Sequence, residues 1–491
     1  MLKNKLNSAG IDDLILKPCY NCDETIWFRL DLDNRYPGKG GIMKKFIIAA
    51  FFFLILAIGG FIFFYQNVIA FDFEEPEKPL PTGNPWTAAV VADPHYLSPK
   101  LHDDGEAFSR FLHYSDKLVH LSDGILDAFV WEMDRSTPDF LFVAGDLTCN
   151  GEEISHRELA ERFSEIETDG TSVFVIPGYH DIQNPIARSY FGVTPWETPT
   201  VTKEQFAQIY GEHGYDEAVS KDSRSLSYLV APTEDTWFLM LDSAIYSYNI
   251  KNNISEQEGE LYESTLNWIR QCGKMARERE ARLVAVMHHS LLHHSSQINQ
   301  GFTIRNSEAA LKVFDSLGIE LVLTGHIHLQ NIESLTMENT TINDVATGSL
   351  MVYPNQYGWI DYRPDSGILY QTRRLDAGAY AAEMGLGDSE LNQLEEVACE
   401  FFVNQCCKRQ NRALDDIPGL TEEERALVRH TVSSMNLRYF AGYRNENLSD
   451  FTKTEGYRIL MELPPFFVQD YVQNMIRDDR SNHNVFFLPV H

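Results

Sequence analysis

From Trp86 onward, short apolar runs alternate with longer amphipathic stretches. The runs are "TAAVVADPH", "FLFVAGD", "SVFVIPGYHD", "WFLMLDS", "RLVAVMHH" and "IELVLTGHIH". Each reads as a buried strand that stops abruptly at polar residues. Residues 107–134 and 257–279 lie between such runs and read as amphipathic helices. Strands alternating with helices predict an α/β domain, here over residues 86–375. In such folds the loops at the C-terminal ends of strands are the favoured places for a site.

After about residue 375 the strand signals fade. Leu391, Leu394, Val397, Ala398, Phe401 and Phe402 recur at helical spacing. Thr421-Glu422-Glu423-Glu424 has the form of a capping box before a further apolar helix. Residues 451–478 add more helix, so 376–491 is expected to be a small all-α C-terminal domain. Residues 196–224 are polar and irregular, and read as a surface loop or a lid.

The N-terminus follows a different pattern. Residues 46–65, "FIIAAFFFLILAIGGFIFFY", carry no charge, and twenty residues at a helical rise of about 1.5 Å span a bilayer core of about 30 Å. Lys44 and Lys45 precede the run; Asp72, Glu74, Glu75 and Glu77 follow it. The positive-inside rule therefore predicts a single-pass anchor within residues 43–70, with the bulk of the chain outside the cytoplasmic membrane. Cleavage after Ala70 and secretion is the alternative. The acidic, proline-rich segment 71–85 reads as a stalk. Residues 1–42 differ in character and precede Met43-Lys44-Lys45, which resembles a start of translation. They read as a non-native or disordered extension.

The formal net charge is −30 over 491 residues, which disfavours nucleic acid as a partner. A local cationic metal site could still attract a phosphate. The seven cysteines form no regular framework. Cys19-x-x-Cys22 has no second pair beside it, and Cys399, Cys406 and Cys407 fall in one helix as buried or partly exposed thiols. Oligomeric state is not legible.

The strand ends carry the chemistry. Asp93-Pro94-His95, Gly145-Asp146, Gly178-Tyr179-His180-Asp181, His288-His289 and Gly325-His326-Ile327-His328 each follow an apolar run. Residues two apart on extended backbone point the same way, so Asp93 with His95, and His326 with His328, can each face one site. Imidazole and carboxylate donors suit Mn, Fe or Zn. Two such ions can clamp the attacking and leaving oxygens of a phosphoryl displacement and make water nucleophilic near neutral pH.

The series D-x-H, G-D, G-Y-H-D, H and G-H-x-H resembles the calcineurin-like metallophosphoesterase superfamily over roughly residues 86–375. The phrases "GDLTCNGEEISH" and "MHHSLLHHSS" resemble a bacterial extracytoplasmic branch with a helical C-terminal domain. The resemblance implies a four-layer α-β-β-α sandwich of two mixed sheets holding two divalent or mixed-valence metal ions. It implies that Asp93, His95 and His328 hold one ion, that Asp146 bridges, and that His288 and His326 hold the second, with His289 behind them. His180 would stand near the leaving-group oxygen, with Asp181 orienting its ring. Asn150 would line the phosphate pocket or cap the following helix.

Tyr179 departs from the family, which has asparagine there and uses its amide oxygen on the second metal. Three consequences stay open: a weakened second site, a phenolate that ligates metal itself, or loss of catalysis. The expected function is metal-dependent hydrolysis of phosphomonoesters or phosphodiesters. The alternative is a noncatalytic surface protein that keeps the fold to bind a phosphorylated ligand or a partner.

Overall fold

The computed structural model describes residues 71–295, 298, 300–387, 389–414, 417–443, 446–477 and 482–490. The extension 1–42, the anchor expected within 43–70 and the Cys19–Cys22 pair lie outside the described residues. Among the described residues no helix is long and apolar enough to cross a membrane.

The apolar runs become strands. They are β1 (Trp86–Val91), β2 (Phe140–Ala144), β3 (Ser172–Ile176), β4 (Arg188–Phe191), β5 (Thr194–Glu197), β6 (Ser220–Lys221), β7 (Tyr228–Val230) and β8 (Thr236–Leu241). After these come β9 (Arg282–Met287), β10 (Leu321–Thr324), β11 (Asn331–Thr336), β12 (Thr341–Ala346), β13 (Gln356–Arg363), β14 (Gly367–Arg374) and β15 (Val485–Pro489). One mixed sheet has the order β15-β14-β13-β1-β2-β3, and a second has the order β11-β12-β10-β9-β8-β7-β6. Strands β4 and β5 form a separate ribbon.

The two sheets pack face to face. Phe142 of β2 lies 4.5 Å, centroid to centroid, from Phe238 of β8, and Trp86 of β1 lies 5.6 Å from the same ring. Helices Ser122–Ser136 and Glu153–Thr168 send Phe129 and Phe163 into the same core. On the other sheet, helices Glu263–Glu278 and Ser307–Leu317 bury Ile269 and Phe314. Both faces of the central strands are thus covered. That is why β2 and β8 are buried along their whole length and read as unbroken apolar runs.

The parallel strands place the chemistry. β1, β2 and β3 are parallel neighbours, and so are β8, β9, β10 and β12. Parallel neighbours end on the same side, so the polar residues after β1, β2 and β3 gather along one rim. Those after β9 and β10 gather along the facing rim.

The C-terminal region is helical but not all-α. Its last strand, β15, pairs antiparallel with β14, from Gly367↔Pro489 to Gln371↔Val485. Phe486 and Leu488 turn inward while Val485 and Phe487 stay exposed. This is a half-buried edge strand with period two, and Pro489 sits at its end where a missing N–H is tolerated. Helices Glu422–Phe440, Glu455–Glu462 and Phe467–Arg477 build a core from Val432, Met435, Leu460, Val472 and Met475, which also takes in Ile327 and Leu329. Residues 72–491 make one compact unit.

Residues 196–224 are more ordered than an irregular loop. Thr202 and Gln205 form a reciprocal capping box that starts a helix, Lys203–Ile209, and Phe206, Tyr210 and Tyr215 are buried.

Candidate metal centre

Asp93, His95, Asp146, His288, His326 and His328 come together between the two rims. Four overlapping groups of three can each offer ligand atoms within 4.8 Å of one another. These are Asp93/His95/His328, Asp93/Asp146/His288, His95/Asp146/His180 and His288/His289/His326. Asp146 Oδ2 lies 3.4 Å from His288 Nε2, 3.8 Å from His95 Nε2 and 3.9 Å from His180 Nε2. On the Asp93 side, His328 Nε2 is 3.5 Å from Asp93 Oδ1 and 3.1 Å from His95 Nε2.

Backbone groups aim these atoms. Asp93 Oδ2 accepts the His326 N–H, and Asp146 Oδ1 accepts the His180 N–H. Each carboxylate is thereby held by one oxygen, with the other turned inward. His288 Nδ1–H donates to the Ala144 carbonyl at 2.9 Å, which leaves the Nε2 lone pair facing Asp146. His326 Nε2–H donates to the Gly301 carbonyl at 3.0 Å and leaves Nδ1 for the centre. Ile327, between the two histidines, packs into the helical core; Asp93, His95, His326 and His328 lie in turns with positive φ and not on the extended backbone expected from the sequence, because each strand stops before them.

The local backbone is tight. Asp93, His95, Asp146, His326 and His328 all have φ between 38° and 68°, the left-handed region that side-chain-bearing residues seldom adopt. Strain of this kind persists only where the surroundings fix it, and it concentrates at functional sites. Gly178 is required by contact: a Cβ there would lie 2.2 Å from Asp146 Oδ1 and 2.3 Å from its backbone N.

The donor set fits metal ions. Asp93 Oδ1, Asp146 Oδ2, His288 Nε2 and His326 Nδ1 are buried and have no hydrogen-bond partner. Leaving a buried acceptor unpaired costs about 1–3 kcal/mol each, more for a carboxylate. Metal ions bound beside these atoms would satisfy them, and one would take the place of the proton that His288 otherwise carries toward Asp146. Burial disfavours a charged His288 ring, but Asp146 and Asp93 outweigh it and hold its pKa up at about 9. Burial pushes His95 and His326 well below the ordinary histidine value. Nitrogen and carboxylate oxygen without thiolate match borderline divalent ions.

The remaining expected residues are placed as follows. His289 is close to the centre, but both ring nitrogens are taken, Nδ1 by Ser243 Oγ at 2.8 Å and Nε2 by the Gln257 carbonyl at 3.0 Å. It packs edge-on to His288 and tilted against His326, at 5.0 and 4.6 Å. Asp181 does not orient His180. Its carboxylate accepts from the N–H groups of Leu147, Thr148 and Gly178 and from Thr148 Oγ1, tying the β2 and β3 loops together. The backbone donors of a tight turn claim its oxygens first. Asn150 takes the ring instead: its Oδ1 accepts from His180 Nδ1–H at 3.1 Å. That leaves His180 Nε2 to accept the Tyr179 O–H at 2.8 Å. The Tyr179 ring lies 5.0 Å from His326 and 6.1 Å from His288. Burial, reinforced by Asp146, raises the phenol's pKa, so in the metal-free chain it stays protonated. Burial lowers His180 to about 4 and keeps it neutral.

Two further features had no motif to announce them. Lys117 and Asp116 stand beside Tyr179, His326 and His328, with Arg409 reaching in from helix Leu394–Leu414. Asp344 accepts from the Leu291 and Leu292 N–H groups and from Thr324 Oγ1, which fixes the chain after His288-His289.

The model of the calcineurin-like phosphoesterase family matches residues 87–330, and that of the C-terminal domain of cyclic nucleotide phosphodiesterase matches residues 376–482. No curated protein gives a significant match. Among solved structures, a dimetal phosphatase from Danio rerio is 13% identical with a TM-score of 0.42, over 59% of this chain and 96% of that one. A putative 5′-nucleotidase from Staphylococcus aureus is 15% identical with a TM-score of 0.33, over 57% of this chain and 51% of the other. GAP50, the anchor in the inner membrane complex of Plasmodium, is 12% identical with a TM-score of 0.31, over 59% and 88%.

Proposed function

Because the chain belongs to the calcineurin-like phosphoesterases through residues 87–330, we propose that it hydrolyses phosphodiesters at a dinuclear metal centre. The observation that carries this is the convergence of unpartnered buried atoms, Asp93 Oδ1, Asp146 Oδ2, His288 Nε2 and His326 Nδ1. Asp93, His95 and His328 would hold one ion, His288 and His326 the other, and Asp146 both. Bound divalent ions would neutralise charge on the phosphate oxygens and make water nucleophilic near neutral pH.

This chain's own residues handle the proton. His180 is held by Asn150 at Nδ1, and its Nε2 faces both Asp146 and the Tyr179 hydroxyl. A proton for the departing alkoxide would come from this Tyr179–His180 pair. The match of residues 376–482 to the C-terminal domain of cyclic nucleotide phosphodiesterase favours a diester, and a cyclic nucleotide in particular. Tyr179 also supports a second reading, ligand binding without turnover, because its hydroxyl occupies the His180 nitrogen that would otherwise meet a leaving group. The uncharged run 46–65, with lysines before it and acidic residues after it, supports a membrane anchor and an extracytoplasmic site.

The test is metal analysis and turnover by the full chain reconstituted with Mn, Fe or Zn. About two equivalents of metal with hydrolysis of bis(p-nitrophenyl) phosphate and of a cyclic nucleotide is expected. Two equivalents without turnover would establish the binding reading. Less than one equivalent with every ion would refute both.

A further inference from the structure

The proposed reaction uses only one end of a larger cavity. A space of about 390 Å³ begins at Tyr179, His326 and His328 and runs toward the C-terminal helices. The far wall is apolar. Phe402 and Phe440 meet edge to face at 5.0 Å, and Phe467 and Tyr471 lie nearly parallel, 9° apart with centroids at 6.0 Å. Phe467 is 55% exposed although its ring borders this space. A polar notch interrupts the wall, where Tyr471 O–H donates to Asn436 Oδ1 at 2.8 Å.

Charge is concentrated at the metal end. Asp116 sits between two cations, 3.4 Å from Lys117 Nζ and 2.6 Å from Arg409 Nη2. Lys117 and Arg409 bring two cations to an edge that holds Asp116 and lies beside the Asp93 and Asp146 carboxylates, which bound metal ions would neutralise. With metal ions at the centre, these two cations would attract an anionic ligand. A stacked aromatic wall suits a flat ring system. The volume lies in the range of pockets that enclose a small organic molecule, well beyond what a bare phosphate fills.

We infer that this cavity holds the organic part of the phosphodiester, that this part is a flat, largely apolar ring, and that Lys117 and Arg409 bind an anionic oxygen at its phosphate end. The inference rests on the reading of the centre as a phosphoesterase and adds the recognition residues. Phe467, Phe402 and Arg409 come from the helical region, so that region supplies the specificity of a reaction carried out by loops of the sheets.

Binding tests this apart from turnover. The full chain, reconstituted in nanodiscs with Mn²⁺, is titrated by calorimetry with adenosine 5′-monophosphate and with ribose 5-phosphate. These probes share a phosphate and a sugar and differ by the ring. The ring is expected to tighten binding at least tenfold. Phe467→Ala removes an exposed ring at little risk to the fold, and Ala413→Trp fills the cavity; each should bring the ratio of the two affinities toward one. Arg409→Gln should weaken both probes and flatten their salt dependence. Equal affinity of the two probes for the wild type, or a ratio unchanged in both pocket variants, would overturn the inference. Hydrolysis of bis(p-nitrophenyl) phosphate by the same samples reports on the centre alone. Absence of turnover with a preserved tenfold contrast would sink the reaction and leave the pocket standing.

Discussion

Position 179 separates the possible roles of the tyrosine. In Tyr179→Phe the ring stays against His326 and His288 and only the hydroxyl goes. His180 Nε2, in a ring 8% exposed, then loses its 2.8 Å donor. An orphaned acceptor of this kind costs about 1–3 kcal/mol, so urea unfolding should show a loss of that size. Metal content should not change, because Asp146, His288 and His326 supply the second ion's donors without the phenol. Activity should fall by roughly tenfold to a hundredfold if the pair delivers the leaving-group proton. Tyr179→Asn differs, because it removes the ring and offers an amide oxygen to the second ion. Affinity for the second metal equivalent should rise tenfold or more, equivalent to ~1.4 kcal/mol or above. The assays are metal titration with stoichiometry by mass spectrometry, and kcat/KM on bis(p-nitrophenyl) phosphate. If Tyr179→Phe loses one metal equivalent, the phenolate is a native ligand and the reasoning fails. Failure of Tyr179→Asn to alter the second affinity would place residue 179 away from the metal.

Three further outcomes are expected. Gly178→Ala forces a Cβ within 2.2 Å of Asp146 Oδ1. It should abolish tight binding of the metal pair while circular dichroism stays native; unchanged metal binding would contradict the contact. His156, buried and bonded to Tyr210 Oη and the Asp181 carbonyl, is held by burial at about 4 against an ordinary 6.5. Its folded pKa is depressed, so between pH 6.5 and 4 the unfolded chain binds the extra proton. The neutral ring's contribution, of the order of 3 kcal/mol at 1.36 kcal/mol per pKa unit, is present above 6.5 and lost as pH falls to 4. His156→Gln should flatten that part of the stability profile, and an unaltered slope would assign it to other groups. Protease added to intact cells should digest residues 86–491 if the anchor is oriented as its flanking charges imply, whereas digestion only after lysis would reverse the topology.

The sheet cores and five strand ends were legible because buried parallel strands must be apolar throughout, so their polar stops stand out. Asp93, His95, Asp146, His288, His326 and His328 were all visible in that way. Hydrogen-bond choice was not. Nothing in "GYHDIQ" says that Asp181 will serve three backbone donors while Asn150, thirty residues earlier, takes the His180 ring. His289 looks like a ligand in sequence, and only Ser243 and Gln257, from other segments, fill its nitrogens. Lys117 and Arg409 lie far apart in sequence in segments without a motif, and Asp116 joins them. β15 was hidden because five residues at a chain end, one of them proline, give too short a period to distinguish a strand from a tail.

That terminal strand changes how the helices can move. The chain leaves the sheet after β14 and returns to the same edge as β15, so the helical excursion is a closed loop pinned at both ends. Closing a loop of roughly a hundred residues costs about 4 kcal/mol of chain entropy, which the β14–β15 ladder must offset. A flap on a single hinge could swing clear of the metal loops. This excursion is rooted at both ends on one β-edge and is also packed along its length, with Leu391, Leu394 and Ala398 in the sheet core and Ile327 and Leu329 in the helical one. The β14–β15 ladder therefore helps to fix the helix that carries Phe467 and Tyr471 along the pocket beside the ion site.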